Sequence, residues 1–463
     1  MTRIKQVAHS IGRRRRSTGH SDPIPSMDPA ICEATAATNS TGTGTGVDII
    51  TDLHQLDEKL REVTEAWKVS DDAMRSVFAS FEMKYPDDMP SDPYSADYSD
   101  RVFGMYRAIS GRDGYEVQNE HMAFPVDANK PFPFYTESPQ SVGQQMMWIG
   151  FIITTMQLPP GSSVLELGAG WGNTTIALAR MGYDLMAVDI NEAFANLIKE
   201  RAQKLSLDVA SVTGSFLEVD QLGRTFDAVL FYESFHHCAD HIGLISKLGA
   251  VLKPGGRVFF AAEPITDAFP VPWGIRMDGE SLWAIRENGW LELGFQESYF
   301  VRTLLRLGWL AVKHVKAVPD LYLPTVLEAT RANGSYVMGT FGLPPDEDQS
   351  WAPRDVPGVE LRFCSGASRI SIETRAGYDL IVIRATNFAP RELSYFARHG
   401  KQGVTGKVAA ASDFEIRFPY DPEATWLELG SETWRPSELL GTADERVIGL
   451  AIRTIDLVRR ADR

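Results

Sequence analysis

The chain predicts an α/β fold built on a doubly wound parallel sheet, with a helical extension before it and a β-sandwich after it. Three observations carry that expectation. Residues 164–179, VLELGAGWGNTTIALA, pass from an apolar run through a glycine-rich turn into a helical pattern. Further apolar runs follow at 185–188, 209–213 and 226–231, with a helical stretch before the first of them, the order of a parallel sheet with crossovers. Beyond residue 359 the pattern changes to short alternating runs separated by Gly, Pro, Asp and Ser, which suits an antiparallel sandwich of about 100 residues.

The first strand and its turn hold the most information. Glycines at 168, 170 and 172 let a backbone turn sharply and let a ligand approach bare peptide N–H groups at a helix start. A dinucleotide-binding loop would read G-x-G-x-x-G, but Asn173 stands at the third glycine position and Gly172 gives G-x-G-x-G instead. Glu166, at the strand end, suits a ligand bearing an ammonium group better than one bearing a pyrophosphate. These residues resemble the first motif of class I S-adenosylmethionine-dependent methyltransferases, E/D-x-G-x-G-x-G. The resemblance implies a Rossmann-like domain, S-adenosylmethionine as cofactor, and cofactor contacts from Glu166, Gly168, Ala169, Gly170, Gly172 and Asn173.

Later segments extend the resemblance in order. The run 185–188 ends in Asp189, about 20 residues past the glycines, where an acid accepts hydrogen bonds from ribose hydroxyls; Ile190 follows it. The run 209–213 leads to Gly214, Ser215 and Phe216, where the family often carries an acid facing the adenine amino group; here the residue is Ser215. Residues 226–231 read as the fourth strand, with Glu233 just beyond it, and Lys253, Pro254, Gly255 and Gly256 resemble the family's turn into a fifth strand at 257–262. The resemblance spans roughly residues 140–342, within an expected domain of 138–343.

Composition sets the outer bounds. A length of 463 residues allows about three domains of roughly 150 residues. With 44% hydrophobic and 23% charged residues the chain can bury ordinary globular cores. A formal charge of −15 argues against nucleic acid as the main substrate, since no general attraction to phosphates is available. Cys32, Cys238 and Cys364 form no paired spacing, which suits a reducing compartment. No run approaches the 18 or so apolar residues of a membrane span, and the basic cluster Arg13 to Arg16 has no apolar signal core after it. A cytoplasmic protein is expected.

Residues 1–48 read as a disordered tail. Residues 49–137 form an extension: helical spacing at Leu56, Leu60, Val63 and Trp67, again at Met74, Val77, Phe78 and Phe81 after a cap at Ser70 or Asp71, then a Pro-, Asp- and Tyr-rich loop over 85–135. That loop either closes over the ligands as a lid or packs as plain surface. Ser138 and Pro139 start a helix that ends before Pro159 and carries Gln144 and Gln145 as possible ligand contacts. After the fifth strand, an insertion at 263–297 interleaves Trp273, Trp283 and Trp290 with Arg276, Asp278, Glu280, Arg286 and Glu292. Aromatic faces among charges suit a sugar ring, although each tryptophan taken singly is more often core. Strands are expected at 310–318 and 336–341 to complete the sheet, followed by a linker at 344–357 and the sandwich at 358–463.

Methyl transfer to a hydroxyl needs an aligned acceptor and a proton acceptor. His236 and His237, at the carboxyl end of the fourth strand where such sheets bind ligands, are the candidate bases. His236, His237, Cys238, Asp240 and His241 also form a cluster of metal-ligand types, but their spacing matches no structural zinc pattern and no metal is expected. The end of the chain, with Trp434 to Gly441 and Asp444 to Gly449, resembles a β-rich tail of bacterial glycan-assembly proteins. That resemblance implies either a glycan-assembly partner bound through residues 358–463 or a scaffold. The expected function is O-methylation of a sugar hydroxyl, on a surface-polysaccharide precursor or nucleotide sugar; a non-sugar metabolite as acceptor, or a non-catalytic assembly subunit, are the alternatives.

Overall fold

The computed structural model describes residues 47–121, 127–316, 323–332, 334–338, 347, 349–352, 361–372 and 377–459. Most of the expected tail, including Arg13 to Arg16, lies outside them. A short strand β1 (Asp48–Ile50) pairs in parallel with β2 (Phe81–Met83). Between them run helices Leu53–Trp67 and Asp71–Phe78. Asp52 and Ser70 start these helices by accepting the N–H groups of Gln55 at 2.9 Å and Ala73 at 3.0 Å, which satisfies donors that a helix start leaves free. A further helix, Ala96–Ser110, lies inside the stretch expected as loop. Its apolar residues Val102, Met105, Tyr106 and Ile109 fall on one buried face, a period hidden in the sequence because tyrosines do much of the apolar work.

The central sheet contains β3 (Ser163–Leu167), β4 (Asp184–Asp189), β5 (Val209–Thr213), β6 (Phe226–Tyr232) and β7 (Leu252–Ala261), all parallel, in the order β5-β4-β3-β6-β7. A small antiparallel pair, β8 (Trp273–Ile275) and β9 (Leu293–Phe295), stands apart from it. The sheet ends with two antiparallel strands, β10 (Trp309–His314) and β11 (Val326–Arg331), with β11 against β7. The direction of winding reverses between β3 and β6, and there the crevice at the strand ends opens. The described part of the strand expected at 336–341 does not join this sheet, and residues 339–341 lie outside the described residues. Ser335–Val337 pairs instead with the C-terminal strand Ala451–Val458, so the catalytic sheet ends at Arg331 and its last strand is the run before it.

Among the described residues, the C-terminal region forms two antiparallel sheets, one of five strands and one of four. The second holds a hairpin, Leu393–His399 with Gln402–Val408, absent from the expected runs because Ser, Gly, Lys and Thr dilute its apolar alternation. Part of the expected linker is packed: Glu347 accepts from the Ser371 backbone at 2.8 Å and hydroxyl at 2.7 Å and from Arg302 Nε at 3.3 Å. Arg302 also lies over the Trp426 ring at 5.0 Å. These contacts tie the β region to helix Glu297–Arg306. One contiguous apolar core runs from the N-terminal helices through the sheet into this region.

Candidate active site

The cleft is built first by the turn after β3. Gly168 has φ +73°, and a Cβ there would meet Ser234 Cβ at 2.4 Å; Gly172 has φ +71°, and a Cβ there would meet Ile198 Cγ1 at 2.5 Å. The left-handed backbone and the close approach both require glycine. The turn delivers the chain into helix Asn173–Arg180. Asp189 at the end of β4 accepts the Gly170 N–H at 2.8 Å and the Asn191 N–H at 2.8 Å, fixing its carboxylate beside the loop. Burial holds Asp189 up to about 6 against those two hydrogen bonds, and holds Glu166 up to about 7 although the Thr175 hydroxyl donates to it.

These elements enclose a cleft of about 1240 Å³, part of it open to solvent. Glu166, Gly168, Ala169, Gly170, Gly172, Asn173, Asp189, Ile190, Ser215, Phe216 and Glu233 all line it. Asn173 donates to the Phe132 carbonyl at 2.6 Å and to Gln145 at 2.7 Å, so Gln145 is the glutamine that reaches the cleft. Ser215 spends its hydroxyl on the Leu217 N–H at 3.2 Å, in a capping box with Glu218. Glu233 takes φ +50°, a strained value for this residue type and of the kind found at binding sites.

The histidines separate. His237 lines the cleft, whereas His236 is 1% exposed and does not reach it. His236 Nδ1 is 2.8 Å from Glu263 Oε2, and Glu263 also accepts the backbone N–H groups of Ser234, Phe235 and His236 at 2.9, 2.9 and 3.2 Å. The carboxylate pins this turn from below and leaves His236 a structural role. His237 Nδ1 donates to the Leu291 carbonyl at 2.7 Å; a carbonyl only accepts, so this nitrogen carries the hydrogen and Nε2 keeps its lone pair.

The other metal-ligand types disperse. Asp240 caps helix His241–Leu248, and His241 Nε2 lies 2.8 Å from the Tyr299 hydroxyl. One group of ligand type does converge among the described residues: His236, His237 and Glu292, within 4.8 Å of one another. Glu292 Oε2 faces His236 Nε2 at 3.5 Å, but Arg276 Nη1 stands 3.7 Å from that same oxygen. The guanidinium already places positive charge beside the carboxylate, so we assign no metal here.

The acceptor end of the cleft is walled by Tyr115, Val117, Leu217, Cys238, Ala239 and Trp290, with His237 and Glu120 as its polar groups. Of the insertion's tryptophans only Trp290 lines the cleft; Trp273 and Trp283 are buried in the core. The extension holds the insertion in place. Tyr98 donates to the Trp273 carbonyl at 2.8 Å, Tyr106 to the Gly289 carbonyl at 2.6 Å, and Arg286 to the Ile109 carbonyl at 3.0 Å. Glu120 had no signal in the sequence, since it lies in a polar stretch, VQNEH, with no motif or period.

Comparison with known proteins agrees with this geometry. Residues 164–256 match the family described as a methyltransferase domain. A demethylmenaquinone methyltransferase of Corynebacterium glutamicum is 30% identical over 136 residues, 29% of this chain and 56% of the relative. A ubiquinone biosynthesis O-methyltransferase of Acinetobacter baylyi is 31% identical over 104 residues, 22% of this chain and 43% of the relative. The chain thus spans about half the length of the curated relatives it matches. Among solved structures, a magnesium protoporphyrin IX methyltransferase from Synechocystis PCC 6803 with bound SAH aligns at TM-score 0.30 and 20% identity, over 46% of this chain and 91% of that one. Among the described residues no helix is long and apolar enough to cross a membrane.

Proposed function

We propose that the protein is an S-adenosylmethionine-dependent O-methyltransferase whose acceptor is a hydroxyl on a compact, largely apolar ring. The observation that carries this is the cleft itself. One continuous space joins the Glu166, Gly168 and Asp189 side to an end walled by Trp290, Val117, Leu217, Cys238 and Ala239, with His237, Glu120 and the Tyr115 hydroxyl as polar groups there among the described residues. S-adenosylmethionine supplies a methyl group activated by its sulfonium charge. Asp189 is placed to hold hydroxyls, Glu166 to attract an ammonium group, and the glycine turn to let the ligand lie against backbone N–H groups. His237 offers the Nε2 lone pair to the acceptor hydroxyl, and the Leu291 carbonyl keeps that ring in one tautomer.

This reading shifts the acceptor away from the saccharide expected from the insertion. A saccharide presents many hydroxyls and needs many partners, and burying polar groups without partners is costly. An acceptor wall with two aromatic residues, Trp290 and Tyr115, and few polar groups fits a phenol-like ring better. The C-terminal sheets support a scaffold role, since Arg302 and Glu347 join them to the helix after β9. The test is transfer of labelled methyl from S-adenosylmethionine into a panel of phenols, catechols and nucleotide sugars. The proposal expects label in an ether of a phenolic compound; label confined to nucleotide sugars, or to none of the panel, contradicts it.

A further inference from the structure

Glu120 ends the 3₁₀ turn Val117–Glu120 of the extension and reaches the acceptor end of the cleft with its side chain 12% exposed. One carboxyl oxygen accepts the Leu291 N–H at 2.9 Å, and the other lies 3.6 Å from His237 Nδ1. The Tyr115 hydroxyl, on the same segment, donates to the His237 carbonyl at 3.2 Å. Three distant segments, 115–120, 237 and 290–291, therefore lock around a single backbone unit, Leu291, which donates to Glu120 and accepts from His237. This arrangement leaves the acceptor facing two candidate proton acceptors of different strength.

His237 is a poor one. Burial first, and the neighbouring His236 second, hold its pKa down to about 3, and its Nδ1 hydrogen already serves a carbonyl rather than a carboxylate that would support an imidazolium. Burial instead holds the Glu120 carboxyl up to about 8, opposed by the Leu291 N–H and Tyr115. A base whose pKa lies near the working pH combines adequate strength with adequate ionisation.

We propose that Glu120 is the catalytic base that removes the proton of the acceptor hydroxyl, while the His237 Nε2 lone pair accepts from the neighbouring hydroxyl of a catechol-type acceptor. The assignment rests on the methyltransferase reading above. In the step, the acceptor O–H proton passes to the Glu120 carboxylate, the oxygen lone pair forms the new O–CH3 bond, and the C–S bonding pair leaves with sulfur. Neutral carboxylic acid, methyl ether and thioether result, so charge and atoms balance. The titratable groups facing Glu120 are Tyr115, Tyr106, His237, Glu292 beside the Leu291 strap, and Asp189 across the cleft. None is a cation that would keep the carboxyl ionised at low pH, so kcat is expected to rise with pH toward a plateau above about 8.

The test measures labelled methyl transfer to catechol and to 4-nitrocatechol across this pH range, for wild type, Glu120→Gln and Glu120→Asp, beside the affinity of each for S-adenosylhomocysteine. With catechol, Glu120→Gln is expected to lose roughly 10²- to 10⁴-fold in kcat, with its pH dependence flattened and product affinity kept. Glu120→Asp should retain part of the rate. 4-Nitrocatechol, which ionises without help, should recover most of the loss. Two results overturn the assignment: Glu120→Gln within about threefold of wild type on catechol, or an equal loss on both acceptors, which marks the carboxyl as structural. Wild type that binds product yet methylates neither compound overturns the acceptor class proposed above and this assignment with it.

Discussion

The two ends of the cleft are made in different ways. The cofactor end comes from one short stretch of chain, the turn after β3, the end of β4 and the ends of β5 and β6, in sequence order. The acceptor end comes from four segments far apart: Tyr115, Val117 and Glu120 from the extension, Leu217 after β5, His237 to Ala239 after β6, and Trp290 from the insertion. The first end needs backbone shape, which glycines and one acid per strand end record locally. The second needs side chains brought together by packing, and its residue types are ordinary ones in ordinary contexts. On the proposed function, a ligand common to a whole family would be held by local chain geometry, and the variable ligand by tertiary contacts.

Substitutions can break the two ends apart. The largest effect is expected from Trp283→Ala. Trp283 is 2% exposed and packs on Phe78 at 5.6 Å between ring centroids, so it joins extension to insertion; its loss should cost about 3–5 kcal/mol in denaturant unfolding. A cost under about 1 kcal/mol would contradict its place in the shared core.

Gly168→Ala comes next, from the other end. The left-handed backbone costs about 1–2 kcal/mol, and the contact with Ser234 forces a further shift. S-adenosylhomocysteine affinity should fall by at least about tenfold, since 1.4 kcal/mol of distortion already gives that factor. Unchanged affinity would show that the turn relaxes without moving the site.

Trp290→Ala should be milder in stability and sharper in function. Trp290 is 6% exposed and presents a face to the cleft; acceptor KM should rise about tenfold while product affinity holds, given about 1.5 kcal/mol for aromatic contact. A change in product affinity alone would place the indole at the wrong end.

The smallest effect is on pH dependence. Glu166 and Asp189 titrate near 7 and 6 in the folded protein, above the values of about 4 in an unfolded chain. Between those limits the folded state binds more protons, so ligand-free stability attributable to them is full below about pH 4 and is lost as pH rises to about 7. Glu166→Gln should flatten that slope in thermal unfolding, and an unchanged slope would assign it elsewhere.

How much was legible follows the same division. The glycine turn, Asp189 and the first four strands could be read because each leaves a local mark. The helix Ala96–Ser110 was not, because Tyr98 and Tyr106 stand on its buried face and a Pro- and Asp-rich context hid the period. Residues 336–341 read as a seventh strand of the central sheet, yet Ser335–Val337 pairs with residues 454–456, a choice made by partners more than 100 positions away. The histidine pair was visible as a pair; which one faces the ligand depends on Glu263, which takes up three backbone N–H groups and the His236 ring. The tryptophans of the insertion suggest a ligand surface, and two of the three form core because Tyr98 and Phe78 of the extension pack on them.

The most direct test of the two-ended cleft is calorimetric titration of S-adenosylhomocysteine into wild type, Asp189→Ala, His237→Ala and Trp290→Ala. Asp189 holds the donor end through the Gly170 and Asn191 N–H groups, so its loss should weaken binding by about tenfold or more, at about 1.5–3 kcal/mol for hydrogen bonds to a charged group. His237→Ala and Trp290→Ala should stay within about twofold of wild type. Equal weakening by all three, or none by Asp189→Ala, would contradict the division of the cleft into a donor end and an acceptor end.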